Sequence, residues 1–200
     1  MPKKLRNEPI YLASEILGFR DANYNPVITD ERTGKRLDPN DIDDKIFIYK
    51  RQVDEWFLSR AVSLCSEKNN SFVVVMIATS YIEGVEQYRH GGLSNRKSKE
   101  YFLEGMRRIF RVQNVTDDQL SVLYKQLRCG LFHNGMSGDA VVLSHRFKIN
   151  IEFSNRGTID INPQLFLSDI IQDFEQYIND LTNLENTIMR NNFDCMFSVL

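Results

Sequence analysis

The stretch from Leu123 to Met136, Leu-Tyr-Lys-Gln-Leu-Arg-Cys-Gly-Leu-Phe-His-Asn-Gly-Met, limits the fold more than any other part of the chain. Leu120, Leu123, Tyr124, Leu127 and Leu131 recur at spacings of three and four, which predicts a helix packed along one face. Gly135 is expected to end it, because a helix C-terminus commonly closes on a residue that tolerates positive φ. Near that end stand Arg128 and His133, with four residues between them. In an ideal α-helix five residues advance ~500°, so the two side chains leave the axis about 140° apart. They can converge only if the long arginine bends toward the histidine and the last turn loosens at Gly130 or Gly135.

Helical periodicity governs most of the sequence before that stretch. Asp38, Pro39, Asn40 and Asp41 offer caps for a helix that begins near Asp41 and runs to about Glu67, with Ile46, Tyr49, Val53, Trp56, Phe57, Arg60, Ala61 and Leu64 as its buried stripe. Trp56 is expected as a core anchor. A second helix follows Ser71. Its opening run, Phe72 to Ala78, is apolar on every side, which places it in the middle of a bundle. A third helix starts near Ser98. A fourth opens with Thr116-Asp117-Asp118-Gln119, the pattern of a capping box, and leads into the Arg128 stretch.

The period then changes. From Ala140 to Phe153 apolar and polar residues alternate, predicting a half-buried strand, straight or bent into two, with His145 on its apolar side. Asn155-Arg156-Gly157 supplies a turn to a partner strand at Thr158 to Ile161. Asn162-Pro163 then caps and opens a last long helix. The tail from Asn191 is apolar enough to dock. Residues 1–44 form an irregular arm with short strands and a turn at Thr33-Gly34-Lys35. The expected architecture is therefore mainly α. An arm over 1–44 precedes a bundle of about five helices over 45–200, with a β-hairpin near 140–161 inserted before the last helix.

Composition narrows the chemistry. With 200 residues, 42% hydrophobic and 26% charged, the chain can bury an ordinary globular core. No run approaches the ~20 apolar residues of a membrane span, and the basic start lacks the apolar segment of a secretory signal. Cys65, Cys129 and Cys195 are odd in number and widely spaced, which points to free thiols in a reducing cytoplasm. The three histidines are isolated and no phosphate loop follows a strand, so no metal and no nucleotide cofactor is expected. Charge is uneven. Arg89 to Arg128 holds nine basic residues against four acids, while Gly157 to Leu200 holds Arg190 against seven acids. Basic charge gathered around the motif helix suits a phosphate-bearing partner, and it equally suits a solvated helix face.

Arg128 and His133, followed by Asn134 and Gly135 in this setting, resemble the R-x4-6-H signature of the HEPN superfamily, helical domains of many RNA-cutting toxins and defence proteins. The resemblance covers about residues 45–190. It implies metal-independent RNA cleavage in a homodimer, in which the 2′-hydroxyl attacks the adjacent phosphate. His133 would move the proton and Arg128 would hold the phosphate. Asn134, Lys125, Arg107, Arg108 and Arg111 are the candidate RNA contacts. Glu83, a carboxylate on the second helix, is the natural partner of Arg128, and Cys129 is a supporting neighbour. Cys129 stands where the family's nucleases often carry Asn or Asp, and some HEPN-like domains only bind nucleotides or act as assembly modules. The resemblance also leaves room for an inhibitory or regulatory protein partner.

Two readings need no RNA. An arginine and a histidine near a helix C-terminus favour the helix dipole and cap its last carbonyls. Cys129 and His133, four apart on one helical face, would also pair a thiol with an imidazole.

Overall fold

The structure is a computed structural model that describes residues 4–67, 69–110 and 115–200. Among the described residues the chain is mainly α-helical with two small three-stranded sheets. It divides into two compact units. One comprises residues 1–59, 88–93 and 176–200, the other residues 60–87 and 94–175. This grouping does not follow the expected division at residue 44, because the first long helix and the C-terminal segment belong with the arm.

In the first unit the arm is more regular than its sequence predicts. Strands β1 (Ile10–Ala13), β2 (Ile16–Arg20) and β3 (Pro26–Asp30) form an antiparallel sheet in that order, with Ile10 opposite Gly18 and Gly18 opposite Ile28. Leu12, Ala13, Ile16 and Ile28 are fully buried, the adjacent Leu12 and Ala13 both being covered where the pairing of β1 with β2 shifts register between Tyr11 and Ala13. Gly18 is closely approached, since a Cβ there would lie 2.6 Å from a Leu5 methyl and 2.7 Å from a Leu12 methyl, and both side chains would have to shift. The expected turn forms at Gly34, with φ 71°, and brings Arg36 back to bridge Thr29.

Helix α1 (Ile42–Val53) starts at Asp41, whose carboxylate accepts the Asp44 N–H at 2.9 Å. Two polar ties bind it to the sheet. Gln52 donates to the Leu12 carbonyl at 2.5 Å, and Arg51 pairs with the buried Asp30 carboxylate at 2.5 Å. Arg51 and the N–H and hydroxyl donors around it hold the Asp30 carboxyl below its ordinary range against the opposing effect of burial. The apolar tail does dock, and it does so as a helix, α7 (Thr187–Met196). Phe193 and Phe197 stack on each other and meet Tyr49 edge-on.

The predicted helix over 41–67 is interrupted. After α1 come a π-helical turn, π1 (Asp54–Leu58), and α2 (Ser59–Cys65). In a π-turn the backbone N–H bonds five residues back, so each such turn inserts a residue and rotates everything beyond it. Accordingly Leu58 and Ala61 are buried, whereas Phe57 and Arg60 of the predicted stripe are exposed, and Trp56 is only half-buried.

In the second unit α3 (Ser71–His90) and α4 (Ser98–Phe110) cross closely at Gly105, where a Cβ would sit 2.6 Å from an Ile82 methyl. Val74, Val75, Ala78, Ile82, Phe102 and Met106 form the core there. The start of α3 is not surrounded as its composition predicts. Phe72, Val73 and Met76 are exposed, because only the face carrying Val74, Val75 and Ala78 is covered. Helix α5 (Asp117–Leu123) opens with the capping box of Thr116 and Gln119 and runs into the motif segment.

The β-region differs from a simple hairpin. Strands β4 (Val141–Leu143), β5 (Ile151–Phe153) and β6 (Ile159–Ile161) order as β4-β6-β5, with β5 antiparallel and β4 parallel to β6. Residues 144–150 leave the predicted strand. The Asn162 side chain takes the carbonyls of His145 and Phe147 at 3.3 and 2.8 Å, so neither is left for a neighbouring strand. His145 is consequently exposed. The same Asn162 caps α6 (Pro163–Thr182), accepting the N–H groups of Gln164 and Leu165 at 3.0 and 3.2 Å. This sheet precedes the penultimate helix. Among the described residues no helix is long and apolar enough to cross a membrane.

Candidate functional site

The predicted motif helix continues beyond α5 as a second π-helical segment, π2 (Tyr124–Asn134). Leu127 and Leu131 stay buried, so the predicted apolar side holds as far as Leu131. The change of winding matters for the motif. At roughly 4.4 residues per turn, five residues advance about 410°, so side chains at i and i+5 leave the axis only about 50° apart. Arg128 and His133 are spaced by five. The winding brings them toward one face, where an α-helix would hold them ~140° apart.

Glycines allow the segment to close. Gly135 stops it in the left-handed region, with φ 70°. The chain then doubles back, and the Gly138 N–H reaches the Gln126 carbonyl at 2.8 Å. The Met136 carbonyl passes Gly130 so closely that a Cβ there would lie 2.7 Å from its oxygen.

Arg128 is held by an acid. One of its terminal nitrogens donates to a Glu83 carboxylate oxygen at 2.8 Å, and the other oxygen of Glu83 accepts the Ser94 hydroxyl at 3.0 Å. Glu83 is more buried than Arg128, 12% against 23% exposed, so the pair sits in a half-dry setting where a charge-assisted bond counts. The guanidinium carbon also lies 5.2 Å from the Phe132 ring centre and 5.9 Å from that of Tyr124, within cation–π range of both. Burial, together with the neighbouring Cys129 thiol, pushes the Tyr124 phenol above its ordinary range. Tyr124 and Cys129 are again spaced by five.

The remaining predicted residues divide. His133, Asn134 and Lys125 are exposed on π2, and none of their side chains makes a hydrogen bond or ion pair among the described residues. Arg107 is exposed and pairs with Asp117. Arg108 turns inward to Glu86 at 2.6 Å and to Asp173, which also accepts the Tyr81 hydroxyl at 2.8 Å. Two carboxylates of the fold thereby balance its charge. Arg111 lies outside the described residues.

Sequence reasoning missed Phe132, Ser94 and the second role of Tyr124. The spacing of Tyr124, Arg128 and Phe132 by four carries the signal for an arginine flanked by rings. Comparison with protein-family models, with curated proteins and with solved structures finds no match.

Proposed function

We propose that this chain is a HEPN-like RNA-processing protein, a metal-independent endoribonuclease of toxin or defence type working as a homodimer. The observation that carries the reading is the π-helical winding of Tyr124–Asn134, which turns Arg128 and His133 toward one face. Glu83 uses one of the five N–H donors of Arg128, leaving others for a phosphate. In the proposed step the ribose 2′-oxygen bonds to the adjacent phosphorus and the bond to the 5′-oxygen of the next nucleotide breaks. The 2′-hydroxyl proton passes to one histidine acting as base, and the leaving oxygen takes a proton from a second. A dimer supplies both, because His133 comes once per chain. The products are a 2′,3′-cyclic phosphate and a 5′-hydroxyl end, and no metal takes part.

A second reading has its own support. Glu83 already balances the charge of Arg128, as expected for a HEPN-like module that binds RNA or a nucleotide phosphate, or a protein partner, without cutting. The test is cleavage of structured and unstructured RNA in chelator by wild type, Arg128→Ala and His133→Ala. Cleavage by the wild type alone, with melting of the His133→Ala protein unchanged, supports the nuclease. A folded wild type that binds RNA without cutting it refutes cleavage and supports the module.

A further inference from the structure

The second unit holds another group of polar side chains apart from the motif. A cavity of about 520 Å³ opens between the α2–α3 corner and the loop joining β4 to β5. Asn69 and Ser71 line one side, Ser144, His145 and Arg146 the other, and Gln164 at the start of α6 also lines it. Ser71 Oγ lies 3.3 Å from His145 Nε2, so the two walls meet through a hydrogen bond. Both walls are anchored. Asn162 fixes the loop by its His145 and Phe147 carbonyls, and Asn70 reaches the Leu64 carbonyl at 3.3 Å and Glu67, a further lining residue, at 3.1 Å. Arg146 carries no ion pair among the described residues. The twenty-residue α3 begins at this cavity, and its first-turn N–H groups have no helical acceptor.

We propose that this cavity binds a phosphate group, with Arg146 as its charged anchor and the Ser71–His145 pair as its hydrogen-bonding contact. With its hydrogen on Nε2 the His145 ring donates to Ser71 Oγ, which turns the hydroxyl hydrogen toward the anion. The helix dipole and the guanidinium add charge of the same sign. For the source of the phosphate, the inference rests on the RNA reading. From Ser71 to Glu83 along α3 is ~18 Å, a span that a single strand of roughly three to five nucleotides covers. On a 100° wheel Phe72, Met76 and Glu83 share one face, and Phe72, 36% exposed beside the cavity, offers a ring for base stacking. Free phosphate and a mononucleotide share the same chemistry.

The test follows the backbone amide resonances of the full chain during titration with inorganic phosphate, with 5′-AMP, and with a 2′-O-methylated six-nucleotide RNA that cannot be cleaved. The expected result is that phosphate and RNA both shift Ser71, His145 and Arg146. Arg146→Ala should weaken RNA binding about tenfold and lower its salt slope by about one, with melting unchanged. His145→Gln, which removes the imidazole and keeps a polar side chain able to hydrogen-bond Ser71, should weaken both ligands less. Shifts with phosphate or 5′-AMP but not with RNA keep the cavity and refute the RNA reading. RNA binding that leaves these amides and the Arg146→Ala affinity untouched overturns the cavity and keeps the RNA reading. No shift with any of the three ligands overturns the cavity.

Discussion

Replacing Glu83 by Gln keeps the shape of the side chain and an acceptor for Ser94 while removing the charge that faces Arg128. The 2.8 Å contact joins groups 12% and 23% exposed. Charge centres about 4 Å apart attract by ~4 kcal/mol at an effective dielectric constant of about 20, and desolvation of both groups offsets much of this. The coupling left between the two side chains should be about 1–2 kcal/mol, in the range for a charge-assisted hydrogen bond. The assay is a double-mutant cycle of wild type, Glu83→Gln, Arg128→Gln and the double variant by urea unfolding. With a slope of about 2 kcal/mol/M, each single variant should move the midpoint down by about 0.5–1 M, and the double variant should lose less than the sum. RNA affinity should rise in Glu83→Gln, because the guanidinium loses its internal counter-charge. Coupling below about 0.5 kcal/mol would mean that water screens the pair as at an open surface. The account of Glu83 as the residue that positions Arg128 would then be wrong.

Two further predictions concern stability alone. Gly130→Ala should destabilise by about 1–3 kcal/mol, because its Cβ meets the Met136 carbonyl, whereas Gly84→Ala on α3 has open space and should stabilise by about 0.5–1 kcal/mol; paired denaturant melts of the two variants check both signs. The depressed Asp30 carboxyl adds stability that is complete above the ordinary carboxylate pKa of about 4 and is lost as pH falls through its lower folded value. Melting temperature against pH should therefore fall on the acid side in the wild type and fall less in Asp30→Asn. Equal acid limbs in the two proteins would refute that assignment.

The features legible in the sequence are those that a few neighbouring residues decide. Asp41 at the start of α1, Thr116 with Gln119 before α5, Asn162-Pro163 before α6 and the left-handed Gly135 each answer a local demand for a cap or for positive φ, and the structure uses all of them. The alternation after Ala140 located a sheet but overextended a strand, because Asn162 claims two carbonyls of the loop from more than a dozen residues away. Arg107 and Arg108 look alike as adjacent basic residues. Only one finds a pair of carboxylates inside the fold, on helices 22 and 65 residues distant.

The local pattern alone marks the starts of α1, α5 and α6 and the stop at Gly135, makes the chain mainly α, and sets Arg128 and His133 five apart near that stop. Hydrogen-bonding groups and steric limits within a few residues suffice for that. Tertiary structure decided the winding between those ends. Phe57 in the π-helical segment Asp54–Leu58 is exposed, and ideal π-helical geometry over Tyr124–Asn134 sets Arg128 and His133 only about 50° apart around the axis. The looser π-helical winding leaves no mark in the local pattern, because each inserted residue shifts a face whose burial only distant partners can reward. Those partners here include the backbone folding back over Gly130, and Glu83, forty-five residues from the arginine it holds.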